Sequence, residues 1–245
     1  MAIPVKPNNT THKITLPISK KVLEFREFSS KEQFDLLLAK EKSKDENDLT
    51  NVIDTIGKVA NSCILNGIDI TKESIVDFEY YIINLRIHSV GDMAENRYKC
   101  NNTIDGKTCN HVIDVKIDLK DIKIDDGSVP DNMVKIDDNI VLEMKYPDYG
   151  TISVLTTPNL KDSVLFAAIA SCIKTIWAGD DEYKTSDFSQ EEVIEFVENL
   201  SIKQEDKIAD FFNKIPKLNK KISFKCDKCG QEYNFEVEGI TDFFG

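Results

Sequence analysis

Apolar residues alternate along the first stretch of the chain, at Ile14, Leu16 and Ile18 and again at Leu23 and Phe25, with Ser19-Lys20-Lys21 between them. That pattern predicts a β-hairpin over residues 13–28. The period then changes. Ser29-x-x-Glu32 is a capping-box signature, and Phe34, Leu37 and Leu38 fall on one helical face behind it. Beyond the polar run 42–48, Leu49, Val52, Ile53, Ile56, Ala60, Cys63 and Ile64 recur at spacings of three and four, which predicts an amphipathic helix. A further helix is expected over 72–87, striped by Ile75, Phe78, Ile82 and Leu85 and ended by Ser89-Val90-Gly91.

Alternation returns between 97 and 155. It runs through Val115, Ile117 and Leu119, through Ile140, Leu142 and Met144, and through Ile152 and Val154, punctuated by Gly127, Pro130, Pro147 and Gly150. From Thr157-Pro158 onward, Leu160, Val164, Leu165, Ile169, Ile173 and Trp177 read as one long helix closed by Gly179. Ser189-x-x-Glu192 opens another helix, bearing Val193, Phe196, Val197 and Leu200, and Ile208, Phe211 and Phe212 mark a last one before Pro216. Two strands and the apolar tip Ile240 to Phe244 close the chain. No low-complexity linker divides it. The expected class is α+β, as one unit over 1–245: a hairpin with helices (12–92), a β-rich section (97–155), a helical section (157–216) and a C-terminal knuckle and strand (221–245) packing back on 97–119.

The candidate chemistry lies in cysteine. The stretch FKCDKCGQEYNFEVEG places Cys226 and Cys229 two residues apart, followed by Gly230 and an alternating strand. Upstream, YKCNNTIDGKTCNHVIDVKIDL repeats the order aromatic, Lys, Cys, turn, Cys, strand, with Cys100 and Cys109 separated by eight residues that include Gly106. Two such knuckles facing each other would supply four thiolates to a tetrahedral Zn2+ site. The alternatives are free thiols in a hairpin, disulfides formed after release from a cell, or His111 in place of Cys109. Four thiolates leave no open coordination position, so the metal would be structural. Cys63 and Cys172 lie on apolar stripes and read as small core residues. Tyr98 and Phe224, each just before a knuckle, are expected to pack beneath it rather than to stack nucleobases.

Composition narrows the function classes. A formal net charge of −12 with three arginines disfavours phosphate recognition. No run approaches the length of a membrane helix or a secretory signal, so the expected setting is a cytoplasm, where paired cysteines bind metal more often than they form disulfides. P-loop, nucleophile-elbow, dinucleotide-fingerprint and zinc-protease patterns do not occur, and His12, His88 and His111 are far apart in sequence. Aligning Gly127 with the glycine of an EF-hand puts isoleucines at ligand positions, so the acidic section 118–138 reads as a solvated β-edge. No catalytic residues are expected.

Three stretches in order resemble one family. HKITLPISKKVLEFREFSSKEQ (12–33), DFEYYIINLRIHSVGD (77–92) and FKCDKCGQEYNFEVEGITDFFG (224–245) are similar to the baseplate hub and hub-assembly proteins of T-even-type contractile-tail bacteriophages. The resemblance implies protein–protein contact in the baseplate hub, as a virion subunit or as an assembly chaperone in the host cytoplasm, with other tail proteins or the tape-measure protein as partners. The hairpin also resembles tail-assembly chaperones. The reading from the residues alone that competes with it is a zinc-ribbon nucleic-acid-binding viral protein; a hydrolase using paired carboxylates is the third.

Overall fold

A computed structural model describes residues 10–42, 49–125, 130–155 and 163–238. The architecture is α+β, built from antiparallel strands and seven α-helices among the described residues. Strands β1 (Thr11–Thr15) and β2 (Val22–Arg26) pair as the expected hairpin. The first strand ends before Leu16, however. Leu16 N–H donates to the Lys21 carbonyl at 2.9 Å, Lys20 N–H returns to the Leu16 carbonyl at 3.1 Å, and Lys20 takes a positive φ of 58°. Ile18 therefore sits in a turn, not in a strand. Its N–H and that of Ser19 both donate to the carboxylate of Asp77, at 2.7 and 2.9 Å.

Helix α1 (Ser30–Lys42) starts at the Ser29/Glu32 capping box, and Glu32 is also gripped by Arg26 and by the Ser62 hydroxyl. Helix α2 (Leu49–Cys63) matches its apolar stripe, although Ile64 leaves it to form a bridge with Phe25. Helix α3 (Ile75–Val90) begins at Ser74, whose hydroxyl accepts the Asp77 N–H, and ends at Gly91 with φ 129°. Apolar residues surround this helix, and it is buried on both sides. Phe78, Tyr81 and Leu85 join the hairpin and α2 in a smaller core. Val76 and Ile83 join a larger core built from the rest of the chain.

The section from 93 onward contains β3 (Met93–Lys99), the short pair β4 (Thr103–Ile104) and β5 (Lys107–Thr108), and β6 (Val112–Asp118). Strands β7 (Lys123–Ile124), β8 (Met133–Lys135) and β9 (Ile140–Met144) follow, with β7 and β8 each at the edge of a sheet as the charged section predicts. The alternation of Ile152 and Val154 misleads. These residues lie in helix α4 (Tyr149–Leu155), where the Asp148 carboxylate accepts the Thr151 N–H at 3.1 Å; two apolar positions are too few to separate the periods.

The long helix predicted to run through Trp177 is shorter than expected. Helix α5 spans Val164–Ser171, after which Ile173 and Trp177 lie in β10 (Ile173–Ala178), paired with β9 and with β11 (Asp181–Lys184). A spacing of four keeps residues on one side of a helix and of a strand alike, so the stripe through 165, 169, 173 and 177 cannot locate the change. Gly179, at φ 61°, turns the chain between β10 and β11. Thr157, Pro158, Leu160, Gly127 and the tip Ile240 to Phe244 lie outside the described residues. Helices α6 (Gln190–Glu198) and α7 (Ile202–Asn213) each open with a capping box; the second, Ser201/Gln204, escaped the sequence reading. Strands β12 (Leu218–Lys225) and β13 (Glu232–Glu238) form a three-stranded sheet with β7.

Candidate metal centre

The β12–β13 hairpin closes through the turn Cys226–Gln231. Cys226 N–H donates to the Gln231 carbonyl and Gly230 N–H to the Cys226 carbonyl, both at 2.8 Å, with Gly230 at φ 75°. The β3–β6 hairpin ends in the same way. Cys100 N–H donates to the His111 carbonyl at 2.8 Å, and Asn110 N–H to the Cys100 carbonyl at 3.0 Å, with Asn110 at φ 53°. Asparagine tolerates this left-handed region better than other non-glycine residues, which suits it to the place glycine takes in the other knuckle. The wide spacing between Cys100 and Cys109 comes from the β4–β5 hairpin, turned by Asp105 and Gly106 at φ 49° and 73°. Below this insert the chain recloses, with Cys109 N–H donating to the Asn102 carbonyl at 2.8 Å.

Both knuckles point at one spot. The sulfurs of Cys100 and Cys229 are 3.5 Å apart, those of Cys109 and Cys226 are 3.9 Å apart, and all four lie within 4.8 Å of one another. A zinc ion bound tetrahedrally at about 2.3 Å from each sulfur separates its ligands by about 3.8 Å. The donor set fits such an ion. Cys100 and Cys226 are buried, while Cys109 and Cys229 are partly exposed, and none is in a disulfide. His111 contributes its backbone to the first knuckle and is not among the four clustered ligands.

The surroundings act in opposite directions on the two partly exposed thiols. The Gln231 N–H, together with the Asn102 amide 3.6 Å away, holds the Cys229 thiol down at about 6. The equivalent N–H of His111 acts likewise on Cys109, but loss of water and the hydrogen bonding of Cys109 with the other three sulfurs outweigh it and push that thiol up to about 11. Four thiolates crowded together repel one another, and a divalent cation at their centre removes that conflict. The Tyr233 hydroxyl lies 3.1 Å from the Cys100 sulfur and accepts the Asn101 N–H at 3.2 Å; its hydrogen bond to the sulfur raises the phenol above its ordinary value. Tyr98 packs against Phe224 and Phe235 with centroids 5.1 Å away, and Phe224 against Tyr233 at 5.3 Å, so the aromatics face each other beneath the knuckles.

Three features of the site lay beyond the sequence reading: Asn110 as the counterpart of Gly230, the supporting Asn102 amide, and the Tyr233 hydroxyl. The strict alternation after Gly230 could have flagged Tyr233. Elsewhere the fold brings two distant histidines together. His12 and His88 stack with ring centroids 3.8 Å apart, and His12 Nε2 lies 3.1 Å from Glu27. Cys63 and Cys172 are buried, and burial raises both thiols.

The fold and the site together define an α+β protein in which two cysteine knuckles meet, one from the middle of the chain and one from the last strand pair among the described residues. A family model described as T4 bacteriophage base plate protein matches residues 8–245, and the chain belongs to that family. Comparison with curated proteins and with solved structures finds no match. No helix among the described residues is long and apolar enough to cross a membrane.

Proposed function

We propose that this baseplate-family protein acts in the central hub of the tail baseplate by protein–protein contact, as a structural subunit or as an assembly chaperone, in place of catalysis. The observation that carries this reading is the family match, which runs through both knuckles and nearly the whole chain. Cys100, Cys109, Cys226 and Cys229 would hold a structural Zn2+, with the tape-measure protein or other hub proteins as partners in the host cytoplasm and the finished tail. Such an ion supplies cross-linking and no open position for a substrate. Support comes from the donor set itself: four sulfurs within 4.8 Å, with N–H donors of Gln231 and His111 directed at two of them.

Proteomics of purified virions beside infected-cell lysate tests the reading. A subunit is present in both samples, and a chaperone in the lysate alone. In either case a tagged chain co-purifies with tail proteins; recovery of the chain without any of them overturns the hub assignment.

A further inference from the structure

Helix α1 carries an apolar stripe that neither core uses. Leu36 packs into the smaller core, whereas Phe34, Leu37 and Leu38 are 62%, 55% and 37% exposed. At 100° per residue, Lys31, Phe34, Leu37, Leu38 and Glu41 fall within an arc of about 120° on the side away from Leu36. Large apolar residues at i, i+3 and i+4 on an exposed face suit burial against a second helix or groove.

The charges on this stripe say which. Lys31 stands at its N-terminal end and Glu41 at its C-terminal end, both exposed and neither with an ion-pair partner among the described residues. A lysine in the first turn opposes the helix dipole, so the stability of the helix itself does not account for Lys31. The order positive, apolar, negative is self-complementary when two such helices lie antiparallel. Lys31 and Glu41 are equidistant from residue 36, and so are Phe34 and Leu38. A parallel arrangement brings like charges together.

We propose that α1 is a self-association surface, on which a second copy of this chain docks its own α1 antiparallel across a two-fold axis. Lys31 of one copy meets Glu41 of the other, twice per dimer, around a centre of Phe34, Leu37 and Leu38. Such two-fold contacts use one patch on both copies. The contact is small, and the net charge of −12 opposes it, so association is expected with a Kd on the order of tens of micromolar.

Sedimentation velocity on the full chain, from about 1 to about 300 µM, reads the outcome. A concentration-dependent dimer is expected, lost in a Phe34→Ser/Leu38→Ser variant. Lys31→Glu or Glu41→Lys alone should weaken it by about tenfold, and the two reversals together should restore it to within about twofold. All four positions are solvent-exposed, and an unchanged melting temperature confirms that each variant folds. A chain that stays monomeric over the whole range, or a dimer indifferent to the charge reversals, overturns the proposal.

Discussion

Asn110 and Gly230 do the same job with different side chains. Each takes a positive φ directly after the second cysteine of its knuckle, and each returns an N–H to the carbonyl of the first. Asn110→Gly is therefore expected to be neutral or slightly stabilising, whereas Asn110→Val should cost about 1–2 kcal/mol in denaturant unfolding, because a β-branched side chain resists that backbone. Asp77 is the other residue on which local geometry depends. Its carboxylate is fully buried and receives the N–H groups of Ile18 and Ser19. Asp77→Ala strands both donors, and the expected loss is about 3 kcal/mol at the urea midpoint. The local Ser74-x-x-Asp77 pattern marks a helix start, but nothing in it shows that the carboxylate is buried, since the groups it receives lie nearly sixty positions away. The clustering of the four cysteines was legible because two knuckles of the same aromatic-Lys-Cys order stand in the sequence, a pattern that metal-ligand chemistry suggests and packing does not require.

At the scale of elements, a single turn shape recurs three times. The β1–β2 turn has the hydrogen bonds of the knuckles, with Leu16 and Ser19 where Cys226 and Cys229 stand and Lys20 in the place of Gly230. There the Asp77 carboxylate, rather than sulfur, receives the turn N–H groups. The β4–β5 hairpin is an insertion in the same shape. Removing Thr103 to Thr108 turns the wide spacing into Cys-x2-Cys, with Asn102 joined directly to Cys109. That deletion is expected to keep the metal content of the intact chain, measured by elemental analysis; loss of metal would show that the insert shapes the site. Helices with caps and strands ended by glycine were legible in the sequence. The passage from α5 to β10 was not, because residues four apart share a face in both states. Its deciding features are the β-branched Ile173, Thr175 and Ile176 and the turn at Gly179.

Across the whole molecule, α3 carries residues of both cores, and the four clustered cysteines bring the β3–β6 hairpin against the β12–β13 hairpin. Stability should then respond to acid in two stages. Burial, followed by the charge of the adjacent His12, lowers His88 below its ordinary value of 6.5, with Glu27 opposing and Lys120 assisting. The unfolded chain binds a proton that the native chain refuses, so stability falls as pH drops through about 6.5. Glu32, held far below its ordinary 4.5 by Arg26, contributes stability that is present above that value and lost as pH falls further. Thermal melts at about pH 7.5 and about pH 5.5 should show a smaller acid shift for His88→Phe than for the unaltered chain.

If the four cysteines hold one metal ion, as proposed, that ion clasps the β3–β6 hairpin to the β12–β13 hairpin. Native mass spectrometry of the full chain under reducing conditions measures this most directly. The expected spectrum shows one zinc ion per chain, lost in Cys226→Ser together with a fall of about 10 °C or more in melting temperature. A folded chain that carries no metal after exposure to zinc, and whose melting temperature ignores Cys226→Ser, would overturn the proposed metal centre.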